Sequence, residues 1–232
     1  MRIPLYIEMR GKNVLIIGGG GVGTVRAKKF LNAGANVKVL SMEFSEELKE
    51  LKNERLELIK GDVYDRRLLE PLIEWANIVT VAIADLNANK FVKEISKRKK
   101  CFLNFANDSD ETEVVVPFEG EFEGIRFSVT TEGKSGIVAR MVRDSILDML
   151  RKDDKVVYFL KSMEFLKRYM KSENIPVDTR MKLYFEISSD KEFRELVNKG
   201  DVAKAKELAK FLVKEYVEGR RNFKVKDNLS FG

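Results

Sequence analysis

The chain has 232 residues, 44% of them hydrophobic, which leaves room for one nucleotide-binding domain of about 110 residues and one or two smaller parts around a sizeable core. Its formal net charge of +6 suits an anionic partner, whether nucleic acid, cofactor phosphate or a polycarboxylate. Histidine is absent and Cys101 is the single cysteine, so imidazole is excluded as base, shuttle or ligand, no internal disulfide can form, and a tight zinc or copper site is not expected.

The N-terminal MRIPLYIEMRGK has neither a long apolar core nor a small-residue cleavage site, and no apolar run approaches the ~20 residues of a membrane span. The expectation is a cytoplasmic protein with no membrane partner. Ile3 to Ile7 reads as a short strand or hook, and Arg10-Gly11-Lys12 as a turn. Val14 to Ile17 then runs into Gly18-Gly19-Gly20-Gly21-Val22-Gly23, with a helix expected from Gly21 to Ala33 and ended at Gly34. Strand, glycine turn and helix make the dinucleotide fingerprint: Gly18 for the tight turn, Gly20 for approach of a pyrophosphate, Gly23 for close packing, with Gly21 and Val22 opening the helix whose N-terminus receives the phosphates. An ordinary glycine-rich turn is the plain alternative.

Val37 to Leu40 reads as strand two, where NAD enzymes usually carry an acid for the adenosine ribose. Ser41 stands there, followed by Met42 and Glu43, so Ser41 is the expected ribose contact and Ser41 to Phe44 a loop over the adenine. With no arginine just beyond the strand to hold a 2′-phosphate, NAD is favoured over NADP.

A helix is expected over Ser45 to Lys52, a strand over Leu56 to Lys60, and a helix over Asp65 to Trp75 limited or kinked by Pro71. Asn77 to Ile83 reads as strand four, ending at the cofactor candidates Ala84 and Asp85. Leu86 to Lys97 reads as a helix with a basic end, a solvated cap rather than a nucleic-acid patch. Cys101 to Leu103 is strand five, ending at Asn104, and Cys101 in its apolar run is a buried thiol rather than a nucleophile. Such alternation predicts an α/β, Rossmann-type parallel sheet domain over residues 1–112.

Glu113 to Pro117 and Ile125 to Thr131 read as an antiparallel pair around an acidic turn from Phe118 to Gly124, and Ser135 as the cap of a helix from Ile137 to about Lys152. Val138, Met141, Val142, Ser145, Ile146, Met149 and Leu150 share one face of that helix, opposite Arg140, Asp144 and Asp148. Residues 113–152 thus form a β-plus-helix segment. Residues 153–232 are helical in composition, with helices expected over Val156 to Met170, after Pro176, around Phe193 to Val197 and over Val202 to Val217. Arg220 to Gly232 reads as a frayed or docking tail.

Together these segments resemble the precorrin-2 dehydrogenase family, the N-terminal module of siroheme synthases. The resemblance covers residues 3–152 and rests on Pro4-Leu5-Tyr6 with Gly11-Lys12-Asn13, the glycine turn with Arg26-Ala27, Val79 to Asp85 with Asn89, Asn104 to Pro117, and Thr130 to Ser135 leading into Ala139-Arg140. It implies NAD-dependent removal of hydride and proton from precorrin-2, an anionic tetrapyrrole, to give sirohydrochlorin, in a homodimer built by the β segment and helical tail. Substrate contacts are then expected from Asn104, Lys134, Ser135 and Arg140, with Arg143 a further anion-binding candidate; simple helix-surface charge is the alternative for both arginines. The acid to which the family assigns proton abstraction and metal insertion falls on Asn107, and an amide is no general base. Asp108 or solvent would then take the proton, unless residues 108–111 are only a solvated acidic loop. The expectation is dehydrogenase activity alone, against a bifunctional enzyme that also inserts iron or cobalt, a redox-inactive tetrapyrrole carrier, or a non-catalytic NAD-sensing module. The lysines of the tail are interleaved with acids, which argues against nucleic-acid binding.

Overall fold

A computed structural model describes residues 2–222, in which the contacts divide the chain into two compact units: 2–118 with 129–140, and 119–128 with 141–222. The expected middle segment 113–152 contributes to both.

In the first unit, β1 (Asn13–Gly19), β2 (Asn36–Phe44), β3 (Leu56–Lys60), β4 (Ile78–Val81) and β5 (Phe102–Phe105) form a parallel sheet in the order β3-β2-β1-β4-β5. The chain reverses direction of growth beside β1, so β1 and β4 flank the switch point where ligands enter such sheets. Helices α1 (Gly21–Asn32) and α2 (Glu46–Lys49) follow β1 and β2; α3 (Arg66–Trp75) and α4 (Leu86–Ser96) follow β3 and β4. Alternate residues of each strand serve opposite faces. Leu15, Ile17, Val79 and Val81 pack with Leu69 and Ile73 of α3 and Val92 of α4, while Val14, Ile16 and Val39 pack with Ala27, Phe30 and Leu31 of α1.

Several expected boundaries move. Residues 3–8 form no strand, and Ile3, Leu5 and Tyr6 are exposed. Pro71 lies inside α3 without ending it. The β-branched run Val114 to Val116 belongs to no strand: Glu113 and Val114 donate their amides to the Leu103 carbonyl, and Val114 and Val116 pack against the α1 face of the sheet. The small sheet pairs β6 (Phe118–Phe122) with β7 (Ile125–Val129) instead, so β6 occupies the expected turn. Glu123 and Gly124, with φ of 47° and 85°, make the two-residue hairpin turn. Gly120 sits under the Phe127 ring, where a Cβ would collide, so a glycine that reads as a turn residue is a strand residue covered by an aromatic.

The helix α5 (Gly136–Lys152) follows, and Ser135 Oγ accepts from the Val138 amide at 3.3 Å as its cap. Its apolar stripe is not a core face: Ala139 and Leu150 are buried, but Ile137, Val138, Met141, Val142 and Met149 are exposed.

The second unit holds α6 (Lys155–Ser172), α7 (Val177–Ser189), α8 (Lys191–Asn198) and α9 (Val202–Val217), packed around Leu166, Met170, Leu183, Ile187, Phe193 and Leu212. Arg220 to Asn222 follow α9 without helix; the rest of the expected tail lies outside the described residues.

Candidate active site

The glycine turn closes β1 and opens α1 in a way that fixes each glycine's part. Gly18 has φ +115°, and a Cβ there would lie 2.7 Å from the Ala82 carbonyl oxygen and Ile83 Cγ2. A Cβ on Gly23 would collide with the Gly18 carbonyl oxygen. At Gly20 and Gly21 the same test meets nothing within 4 Å. Gly18 and Gly23 are thus held by the protein's own packing, while Gly20 and Gly21 leave open space over the first turn of α1. That turn carries backbone amides without intrahelical acceptors, no acidic residue and no side-chain cap. A pyrophosphate fits there by charge, by donors and by room.

The end of β2 differs from expectation. Instead of a loop from Ser41 to Phe44, the strand continues to Phe44, and between Leu40 (opposite Ile17) and Phe44 (opposite Gly19) three residues face the single Gly18. This bulge carries half-buried Ser41 and exposed Met42 and Glu43 past the end of β1. Gly19 is pressed against it, since a Cβ would meet the Glu43 carbonyl at 2.5 Å. Ser45, missed as a site residue, locks the two: its amide donates to the Gly19 carbonyl at 2.8 Å, and its hydroxyl lies 2.7 Å from Thr24 Oγ1.

Past β4, Ala84 is exposed and Asp85 is fully engaged. Asp85 Oδ1 caps α4 by accepting from the Asn87 and Ala88 amides, and Oδ2 accepts from the Tyr64 hydroxyl at 2.7 Å. The tyrosine bond and the amides hold the Asp85 carboxyl below its usual range and push the Tyr64 phenol up.

Past β5, Asn107 is bonded at both ends of its amide: Oδ1 accepts from Asn89 Nδ2 at 2.7 Å, and Nδ2 donates to the Ile83 carbonyl at 2.9 Å. A carboxylate would face that carbonyl without a proton to give. The site is built for an amide here. Half-buried Asp108 turns Oδ1 onto the amides of Asp110 and Glu111, and Thr112 clasps the loop from Phe105 to Asp108 through its hydroxyl. Arg2 ties Ser109 and Thr112 to Glu132, and Gly133 packs directly on Ser109, so the turn at Thr130 to Ser135 is fastened to the 107–112 loop. Together with Arg26 of α1 and buried Asn104, these two loops enclose a cavity of about 320 Å³ in the first unit. Of the expected substrate contacts, Asn104 lines it, Ser135 is the helix cap beside it, and Lys134 and Arg140 are exposed; Arg143 donates to the Glu119 carbonyl.

A protein of Methanocaldococcus jannaschii named "Putative precorrin-2 dehydrogenase" is 32% identical over 203 residues, covering 85% of this chain and 95% of that relative. The chain belongs to the precorrin-2 dehydrogenase family. Within it, the cofactor region matches a family model described as "Putative NAD(P)-binding" over residues 5–118. Siroheme synthase 2 of Yersinia enterocolitica is 27% identical over 148 residues, 63% of this chain, which spans only 30% of that relative. The solved structure of "SirC, precorrin-2 dehydrogenase" superposes with a TM-score of 0.65 at 22% identity, over 89% of this chain and all of that one, and so shares its fold. NAD is the cofactor to be fitted, and the open cradle at Gly20 and Gly21 admits it.

Proposed function

We propose that this chain oxidises precorrin-2 to sirohydrochlorin, transferring a hydride to NAD and releasing a proton. The observation that carries this is the open glycine cradle on α1 in a chain that aligns with 95% of a precorrin-2 dehydrogenase relative. Bound NAD supplies the hydride acceptor. The amides of Gly21, Val22 and Gly23 would hold its pyrophosphate, with room left at Gly20, and Gly18 keeps the turn tight. At the β2 bulge, Ser41 and Met42 would border the adenosine ribose, and the Glu43 carboxylate would supply the acidic contact that Ser41 cannot. Ala84 and the backbone at Asp85 line the path toward the reacting end, since the Asp85 side chain is committed to α4 and Tyr64.

Asn104, Ser135, Lys134 and Arg140 receive the carboxylate-rich tetrapyrrole. Asn107 positions: it couples the Ile83 end of β4 to α4 and holds the neighbouring loop. Asp108, whose Oδ2 makes no hydrogen bond among the described residues, takes the proton. The enzyme works in the cytoplasm as a homodimer, which would cover the exposed stripe of α5. Metal insertion is not part of the proposed activity.

Mixing precorrin-2 with the protein tests the reading: the sirohydrochlorin spectrum should appear with NAD and not without it. Asp108→Ala should lower kcat by about 10²-fold or more with little change in KM, the effect of losing a general base. Undiminished kcat would pass the proton to solvent.

A further inference from the structure

Arg26 stands in the second turn of α1, half-buried, at the wall of the 320 Å³ cavity. Among the described residues its one hydrogen bond runs from Nη1 to the Val116 carbonyl at 3.1 Å, and no carboxylate pairs with it. Burial pulls its pKa below the ordinary guanidinium value, as happens to an ion stripped of water with no counter-ion beside it. Buried charges are normally paired.

Asn104 lines the same cavity. Asn104 is 4% exposed; Nδ2 donates to the Val114 carbonyl at 2.9 Å, and Oδ1 is buried with no partner among the described residues. The first turn of α5 also borders the cavity at Gly136, adding amide donors and the positive end of a 17-residue helix. The acid on the wall, Asp108, is turned onto the amides of its own loop. Guanidinium and helix N-terminus ask for a ligand with a carboxylate. A cavity at the lower end of small-molecule sites has room for one arm and ring edge of a macrocycle rather than the whole.

We propose that Arg26 is a substrate-binding residue, which anchors one acidic side arm of the tetrapyrrole by a charge-assisted hydrogen bond in the cavity that Asn104 and the first turn of α5 border. This rests on the reading of the substrate given above. The cofactor pyrophosphate is the other anion within reach of α1, but Gly20 and Gly21 do not line this cavity, and Arg26 is drawn away from them toward Val116.

The test uses the full chain with Arg26→Gln and Arg26→Lys, and two tetrapyrroles: precorrin-2 for turnover and uroporphyrin, a porphyrin with eight carboxylates, for binding by fluorescence quenching. Arg26→Gln should raise the precorrin-2 KM and the uroporphyrin Kd by about ten- to a hundredfold, the loss expected for one hydrogen bond to a charged group. The NAD Kd should stay within about twofold, and Arg26→Lys or added guanidinium should restore part of the loss. Unchanged tetrapyrrole affinity overturns the proposal. So does a parallel loss of NAD affinity, tetrapyrrole affinity and Tm, which would make Arg26 a strut for Val116. A wild-type protein that binds uroporphyrin through Arg26 without oxidising precorrin-2 would sink the dehydrogenase reading and leave the anchor standing; one that binds no uroporphyrin sinks the anchor.

Discussion

At the residue scale, the glycines of the turn separate into two kinds: Gly18, Gly19 and Gly23 are held by close contacts, and Gly20 and Gly21 face open space. Gly20→Asp adds a carboxylate into open space just where the pyrophosphate is proposed to rest, so NAD affinity should drop by about a hundredfold or more with Tm nearly unchanged. Cofactor titration and thermal melting check both halves, and an unchanged NAD Kd would displace the pyrophosphate from this turn. Gly23 offers no such clean variant, because any Cβ collides with Gly18 and must shift the turn itself. Asp85 makes a pH-dependent prediction. Its folded pKa lies below the unfolded carboxyl's ~3.9, so its contribution to stability is complete above that value and disappears as pH falls through the lower folded one. Asp85→Ala should therefore lower Tm by a few degrees at pH 7, and the difference from wild type should shrink in melts carried toward pH ~2.

At the element scale, the parallel sheet was legible because each strand and helix carries its own local period. Leu56 to Lys60 and Val202 to Val217 coincide with the observed elements residue for residue. The hairpin was not legible. Val114 to Val116 has the β-branched composition of a strand but spends its amides and side chains on β5 and the α1 face, whereas Phe118 to Phe122 looks like a turn because of Gly120 and its acids. The loops around the cavity were half legible: Asn107 was singled out through the family resemblance, but its bonds to Ile83 and Asn89, the Thr112 clasp and the Arg2 tie join positions 4 to 130 residues apart in sequence, which no local pattern reports. Ser41 illustrates a finer miss, since the bulge that carries Glu43 past β1 is a register effect between strands. The α5 stripe predicts an interface. Ile137, Met141 and Met149 are 60% exposed or more and lie on one helical face, an arrangement that favours a self-complementary contact with a second copy. Light scattering should give a dimer for wild type and a monomer for Met141→Glu; a monomeric wild type would refute the interface.

At the scale of the whole molecule, the parts converge on one chemistry. A chain with a surplus of positive charge and without histidine carries an open glycine turn on α1, a cavity past β5 walled by a guanidinium with no carboxylate partner among the described residues, and a loop in which Asn107 is bonded at both ends of its amide and Asp108 Oδ1 accepts from backbone amides. Among the described residues no helix is long and apolar enough to cross a membrane. Hydride and proton leave the same substrate in the proposed reaction, so one sirohydrochlorin must form for every NADH. The decisive measurement follows both absorbance signals in a single cuvette of protein, precorrin-2 and NAD. NADH and sirohydrochlorin rising together at equal rates and in equal amounts is the predicted result; sirohydrochlorin without NADH, or neither product, would contradict it.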